Sequence, residues 1–544
     1  MDRSGLMGDV LRHLAEGTPE TALAECLAAW EREADPAAAG LAAVAAFWLG
    51  DFAGATAYAR TGLAVAADDE AAAICAAAVA LAADGDVAAE PGGAWSTARD
   101  LVAAADLRAP WWAGTRYVVA EAAMVSVRME DAGAVLAEPP VPAEVWSGHP
   151  FAVLMVVCQV RVAVFSGRVD DAMALVEPML DAAVPGSRLE TLVGSVVALV
   201  QGYGGDGDGV AASLAVAAHV PETPRDFVDR GVLMLLAYGA MAVGDTTTAA
   251  AMTLRAGADE GLSRCTIIDR ALGLEILLTA ALDAQDLDAA AAWLAGLEEL
   301  AGHPIADTVV LRARARHALA AGDADAAVEL ATRSVEASVD DGRQFEVAEG
   351  EILVARAELA RREVGAASRR LRDLVTGSDA TGHGAVRRSA GAALAASGRR
   401  LPPIAGGGWD VLSAREAEVA RAVLAGQDVE EIATALFLSP GTVRAHVSRV
   451  LCAFGVATRV GLLAAVGADA VQPAAPPPLS PRQEEVAALV AAGRTNKQVA
   501  AEIGISVKGV EKHVADILLR WGAGSRFELA RTWWAGRAAE DAAG

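Results

Sequence analysis

Lysine is nearly missing from this chain: of 544 residues only Lys497, Lys508 and Lys512 are lysines, all close to the C-terminus. Everything upstream therefore lacks the P-loop lysine that reaches nucleotide phosphates, and the lysine of a phosphoacceptor receiver domain. Arginine-favouring codon usage is enough to explain the scarcity, and the exclusion holds either way. Cysteine is also sparse. Cys26, Cys75, Cys158, Cys265 and Cys452 are scattered, odd in number and never spaced C-x-x-C, a pattern expected of buried thiols in a reducing cytosol. Long apolar runs are missing too: Gly231 to Gly244 is too short to span a bilayer, and the start, Met1 to Gly5, has no basic-then-apolar leader. A soluble, cytoplasmic protein is expected. No Ser/His/Asp, Cys/His or paired-carboxylate constellation stands out, so no catalytic residue, cofactor or metal site is assigned and an enzyme is not expected.

What is present is a duplication. Leu412-Ser413-Ala414-Arg415-Glu416 and Leu479-Ser480-Pro481-Arg482-Gln483 open two stretches 67 residues apart. Leucine to histidine is 34 residues in both (Leu412 to His446, Leu479 to His513), and Gly455 and Arg459 recur as Gly522 and Arg526. Ser413/Glu416 and Ser480/Gln483 are spaced as capping boxes. Gly426 and Gly493 end those helices, glycine entering the left-handed conformation cheaply. Asp428/Glu431 and Thr495/Gln498 open second helices; Ser439 and Ser506 open third ones.

The third helix carries an apolar stripe, Val443, Val447, Val450, Leu451 and Phe454 in the first copy and Val510, Val514, Ile517, Leu518 and Trp521 in the second. Its opposite face presents Gly441, Ala445, Ser448 and Arg449, then Lys508, Lys512, Ala515 and Asp516, with Arg444 and Glu511 beside it. A short capped helix followed by a helix with one buried stripe and one polar face is the arrangement that lays a recognition helix in the major groove. Both copies resemble the LuxR-type helix-turn-helix domain, whose pattern runs L-[ST]-x-R-E-x-E-V, G-x-[ST]-N-K-x-I-A and S-x-x-T-V-[KR]-x-H-V. The resemblance implies base-edge contacts from Arg444, Ala445 and Ser448 and from Glu511, Lys512 and Ala515. It also implies phosphate contacts from the second-helix start, where Thr495, Asn496 and Lys497 fit the pattern and Asp428, Val429 and Glu430 depart from it. Arg449 and Lys508 complete the candidate DNA-binding set. Residues 412–466 carry five bases and five acids, residues 479–537 nine and six, so only the second copy is net basic. His446 and His513 read as packing or phosphate-adjacent groups.

Upstream, a turn residue followed five positions later by alanine recurs at Gly17/Ala22, Gly50/Ala55, Met129/Ala134, Gly167/Ala172, Gly207/Ala212, Gly244/Ala249, Gln285/Ala290, Gly322/Ala327 and Arg362/Ala367, with a weaker copy near Gly85 and Asp86. Such a period indicates stacked helical hairpins. The region resembles tetratricopeptide repeats, although the aromatic positions of that pattern are mostly absent; an irregular helical bundle is the alternative. As a whole the chain resembles large ATP-binding LuxR-type regulators without their ATPase.

The expected fold is all-α: a helical-repeat solenoid over 1–400, helix-turn-helix domains over 409–467 and 479–537, a proline-rich linker over 468–478 and a tail over 538–544. At about 3.1 Å per residue the dozen residues from Gly467 to Pro478 reach roughly 37 Å, enough to bridge half-sites one helical turn apart. Net charge is −26, but residues 1–354 hold 21 bases against 52 acids, whereas residues 355–400 hold ten arginines against four acids. The arginine cluster from Arg361 to Arg400 reads either as a solvated face or as auxiliary phosphate contact or docking against the acidic repeats. Double-stranded DNA is the expected partner, together with an unidentified protein, peptide or elongated ligand on the concave face of the repeats; a homodimer through the fourth helix is also expected from the resemblance. The competing reading is a protein-interaction scaffold whose degenerate helix-turn-helix units serve assembly.

Overall fold

The computed structural model describes residues 2–82, 93–137, 143–146, 149–257, 259–395, 398–399, 401, 408–409, 411–467 and 475–543. Among them are α-helices and short 3-10 turns, and no strand. The chain forms two compact units, Met1–Arg400 and Leu401–Gly544. No helix among the described residues is long and apolar enough to cross a membrane.

In the first unit helices pair in sequence order: α1 (Arg3–Glu16) with α2 (Pro19–Glu33), α3 (Pro36–Leu49) with α4 (Phe52–Val65), α5 (Asp69–Ala82) with α6 (Ala94–Ala103), α7 (Pro110–Val125) with α8 (Met129–Ala137), and α9 (Ala152–Phe165) with α10 (Val169–Ala182). The pattern continues through α11 (Arg188–Gly204) and α12 (Gly207–Ser213), α13 (Phe227–Ala242) and α14 (Thr246–Gly257), and α15 (Ile267–Asp283) and α16 (Leu287–Glu298). It ends with α17 (Asp307–Ala320) and α18 (Ala324–Asp340), α19 (Gln344–Ala360) and α20 (Val364–Asp379), and a lone α21 (Gly384–Ala395).

One backbone device makes most of these hairpins. Two residues before the second helix the chain turns left-handed, at Gly17, Gly50, Val127, Gly167, Gly205, Gly244, Gln285, Gly322 and Arg362, with φ between 58° and 85°. Five residues further on sits a fully buried small side chain: Ala22, Ala55, Ala132, Ala172, Val210, Ala249, Ala290, Ala327 and Ala367. Two expected positions are thereby corrected. The turn lies at Val127 and Gly205, not at Met129 and Gly207, and Ala134 and Ala212 are exposed. Backbone conformation sets the register, and Val127 adopts it despite a branched side chain. The weaker repeat near Gly85 and Asp86 lies outside the described residues.

Small residues also let helix axes close up. A Cβ on Gly202 would stand 2.5 Å from the Gly239 carbonyl oxygen, and one on Gly239 2.6 Å from that of Ala198, so α11 and α13 touch backbone to backbone. The few aromatics gather where α3, α7, α9 and α13 converge: Trp48 and Phe47 lie 5.1 and 5.3 Å from Phe227, and Tyr117 lies 4.6 Å from Phe151. Offset and edge-on ring contacts at such distances add to the burial of area.

The stack winds back on itself. α1 packs on α7 and α11, α3 on α13, and α11 on α21. Arg230 Nη2 donates to the Trp48 carbonyl at 3.0 Å, and the Asp170 amide to the Thr381 carbonyl at 3.0 Å. First helices of several hairpins line two pockets, one between α7, α9, α13 and α15 and one between α13, α15, α17 and α19.

Much of the arginine cluster is tied within its own unit. Arg361 pairs with Asp325 and Glu363, Arg370 with Glu351 and Glu358, and Arg387 with Asp379, while Arg399 donates to the Ser368 hydroxyl. These arginines hold helices together. Arg400 lies outside the described residues. Cys26, Cys75, Cys158 and Cys265 are buried. Burial pushes the thiols of Cys26, Cys75 and Cys265 up to about 12, which leaves them protonated and unreactive.

Candidate nucleic-acid interface

The second unit contains the duplication as two four-helix sets: α22 (Ala414–Leu424), α23 (Val429–Ala435), α24 (Pro440–Ala453) and α25 (Arg459–Val466), then α26 (Pro481–Ala491), α27 (Asn496–Ile503), α28 (Val507–Trp521) and α29 (Arg526–Ala543). Local chemistry fixes the boundaries. Ser413, Asp428, Ser480 and Thr495 each accept from an amide three residues on, and the side chain there reaches back, completing four capping boxes. Ser439 and Ser506 cap α24 and α28.

Matched arginines then lock the tertiary arrangement. Arg415 donates to the Leu436 carbonyl and Arg482 to the Ile503 carbonyl, joining first helix to second in each copy. Arg459 donates to the Gln427 carbonyl and Arg526 to the Arg494 carbonyl, joining fourth helix to the turn after the first. A guanidinium at a helix C-terminus satisfies carbonyls that have no intrahelical partner. The repeat of these residues in the sequence showed their register, and the structure shows their structural role.

With Val443 and Val450 buried, and likewise Val510, Val514 and Ile517, the opposite faces of α24 and α28 are turned outward. Gly441, Arg444, Ala445 and Ser448 are exposed on α24, and Lys508, Glu511, Lys512, Ala515 and Asp516 on α28. Arg449 departs from the expected face. Its Nη1 reaches back to Glu416 Oε1 at 3.0 Å, because a side chain of that length is not confined to the angle of its Cα. Burial works against ionisation of Glu416, yet the Ser413 amide and hydroxyl and the Arg449 guanidinium hold its carboxyl below the usual range. Arg444 lies 3.5 Å from Glu430, the acid that stands where the pattern has lysine.

The two second-helix starts differ in the same direction. Thr495 is spent on its cap, and Asn496 Oδ1 accepts from Arg526 at 2.7 Å, so both side chains face their own domain. Lys497 is exposed. Lys497, Lys508 and Lys512 make no ion pair among the described residues, whereas Arg444 and Arg449 of the first copy both have acidic partners. The free cationic charge of the interface is therefore concentrated on α27 and α28. His446 Nδ1 is 3.9 Å from Glu416, and no metal-binding cluster occurs among the described residues.

A residue that sequence reasoning passed over sits in the turn between α23 and α24. Phe437 is 95% exposed at φ 55°, the place that Gly504 occupies in the second copy at φ 70°. A side chain in that conformation costs about 1–2 kcal/mol. Phe437→Gly is expected to raise the stability of the second unit by about 1 kcal/mol, since strain is relieved and no buried area is lost. Thermal unfolding of the full chain measures it; a lower transition would show Phe437 held by contacts.

The two sets are not beads on a string. α29 packs against α26 of its own set and against α25 of the other, and α25 also meets α26. Ala491 and Ala530 are buried in the first set's core, with Phe527, Trp533 and Trp534 against it; Trp533 also packs on the second core. Arg459 lies 5.2 Å over the Phe527 ring, and Arg531 Nη1 donates to the Ala425 carbonyl at 2.6 Å. Two adjacent tryptophans imply an interface in the sequence; the structure puts that interface inside one chain. Of the linker, residues 468–474 lie outside the described residues.

This geometry defines a tandem pair of helix-turn-helix domains. Residues 410–466 and 477–533 each match the family profile described as bacterial regulatory proteins, luxR family, and these two segments are domains of that family. Response regulator Rre1 of Synechocystis sp. (strain ATCC 27184 / PCC 6803 / Kazusa) is 42% identical over 52 residues, 10% of this chain and 22% of that protein; the chain thus matches about a fifth of its relative's length. Two solved structures show a distant similarity: the APC/C hetero-tetramer Cut9-Hcn1 (11% identity, 73% of this chain and 93% of that one, TM-score 0.23) and Naa15/Naa10 bound to HypK-THB (12%, 100% and 80%, TM-score 0.19). At such TM-scores the architecture of the first unit rests on its own hairpin geometry.

Proposed function

We propose that this chain is a non-enzymatic, cytoplasmic transcriptional regulator that binds double-stranded DNA sequence-specifically through its second unit and a ligand or protein partner through its helical repeats. The observation that carries the first part is the exposed trio Lys497, Lys508 and Lys512, free of ion pairs among the described residues, on the second-helix start and recognition helix of the second domain. Lys497 is the phosphate anchor. Lys512, mid-helix and outward, donates to guanine O6 or N7, a contact worth about 1–3 kcal/mol of discrimination when well made. The first domain, its arginines engaged by Glu416 and Glu430, supplies a weaker second reading head. Its paired charges are the one feature that favours the scaffold reading, and they do so for that domain alone.

Because α25 and α29 already engage one another, one chain supplies both heads, and a homodimer would use another surface. Unlike recognition helices call for unlike half-sites. The test is selection from randomised duplexes by the full chain. Lys512→Ala is expected to relax preference at one base-pair position, while Lys497→Ala weakens all sequences alike. A full chain that enriches no motif, or binds with no dependence on salt, would leave the scaffold reading standing in its place.

A further inference from the structure

The pocket between α13, α15, α17 and α19 has a volume of about 300 Å³ and a lining whose formal charges cancel, with Arg312, Arg316 and Arg356 against Glu275, Asp283 and Glu349. Most of these groups are also spent on one another. Glu275 accepts from Arg312 at 2.7 Å and from Arg316 at 3.0 Å, Glu349 accepts from Arg316 at 3.0 Å, and Asp283 accepts from the Thr246 hydroxyl at 3.0 Å. Arg356 is exposed, so water screens its charge. A guest of either sign would unbalance this lining, and a buried charge without a partner is costly.

What the lining leaves unspent is uncharged. Tyr203 and His383 both line the pocket and are only 3% and 6% exposed, yet neither the phenol hydroxyl nor the imidazole has a hydrogen-bond partner among the described residues. Buried polar side-chain groups are in large majority paired, so two unpaired ones in a single pocket point to a ligand. Burial lowers the pKa of His383 against the opposing pull of Glu349, which keeps the imidazole neutral. A phenol and a neutral imidazole can each donate one hydrogen bond and accept another.

The second, independent feature is the number of rings. Aromatic residues make up 4% of the chain, yet Phe165, Tyr203, Tyr238 and Phe345 line this one pocket beside the His383 ring. They form two groups: Phe165 stands edge-on to Tyr238 at 6.3 Å, and Tyr203 meets Phe345 at 5.2 Å and His383 at 5.5 Å. Ring faces and edges attract a further ring in offset or edge-on contact.

We propose that this pocket binds an uncharged aromatic compound with a hydrogen-bond donor and an acceptor on its edge, the edge held by the Tyr203 hydroxyl and the His383 imidazole. An apolar wall with a few convergent polar groups is the usual make-up of a small-molecule site. The balanced ion pairs around Glu275 and Glu349 select against charged guests, since a guest that breaks them leaves a charge unpaired. This rests on the reading of the helical unit as the ligand-binding part of the regulator.

The test uses the full chain and four probes built on one ring system, naphthamide, naphthoate, naphthamidinium and naphthalene, by equilibrium dialysis at neutral pH. The neutral amide is expected to bind at least tenfold more tightly than the anion, the cation or the hydrocarbon. Tyr203→Phe keeps the ring and removes only the unpartnered hydroxyl, so it should leave the unfolding temperature unchanged, weaken naphthamide at least fivefold and leave naphthalene unaltered. His383→Phe, which also keeps a ring, should do the same. No naphthamide binding by the parent chain, equal binding of either charged probe, or a preference for the amide over naphthalene that survives both substitutions would each overturn the assignment. Operator binding is measured separately on the probe-free chains. Failure of naphthamide with intact operator binding removes the pocket assignment alone, and failure of operator binding removes the regulator reading alone.

Discussion

A chain carrying Lys497→Gln, Lys508→Gln and Lys512→Gln together is expected to lose specific DNA binding at physiological salt and to show a much shallower salt dependence. Each phosphate neutralised contributes about 0.9 to the slope of log affinity against log salt, so losing phosphate contacts from Lys497 and Lys508 flattens it by up to about 1.8, while losing Lys512 removes the base contact. The three lysines have no acidic partners among the described residues to compete for them, so their charge is available to the duplex. By contrast, Arg444→Gln and Arg449→Gln in the first domain should change the slope by less than one unit between them, Arg449 being bound to Glu416 and Arg444 standing 3.5 Å from Glu430. A salt-titrated gel-shift series on the unsubstituted chain and both variants decides it. Equal losses in the two variants would mean that the ion pairs of the first domain open on DNA and that both domains carry affinity alike.

The parts of this arrangement that were legible in the sequence are those set by local chemistry. A cap is a hydroxyl or carboxylate three residues from an amide, so Ser413, Asp428, Ser480 and Thr495 announced their helices. The 67-residue register exposed the duplication for the same reason. The repeat period was legible, but not every register within it, because Val127 takes a left-handed turn that residue type alone argues against. Arg449 was misplaced on the reading face, since an angular projection ignores how far its side chain reaches. Phe437 carried no sequence signal of its own; only alignment with Gly504 would have flagged it. The contacts of Phe527, Arg531 and Trp534 depend on where α29 falls against α25, which no periodicity encodes. Nor could the pattern show that the stack folds back on itself, because that follows from α11 packing on both α1 and α21.

Phe527→Ala combined with Trp534→Ala is expected to uncouple the two DNA-binding domains, and the consequence should appear on DNA before it appears in the fold. In the parent chain the distance between α24 and α28 is set by the packing of α29 on α25 and by Arg531 on the Ala425 carbonyl, not by the reach of the proline-rich linker. Half-sites displaced by half a helical turn should therefore cost the parent chain on the order of 100-fold in affinity, the lower end of what a tethered second site contributes. The double variant should show little dependence on spacing and an overall affinity near that of the second domain alone. Lengthening the linker between Pro476 and Pro477 with glycine and serine should leave the parent's spacing preference unchanged, since the α25–α29 packing then sets the distance between the domains. A preferred spacing that grows with the inserted length would show instead that the domains separate on DNA and that the linker, not the α25–α29 interface, measures the operator.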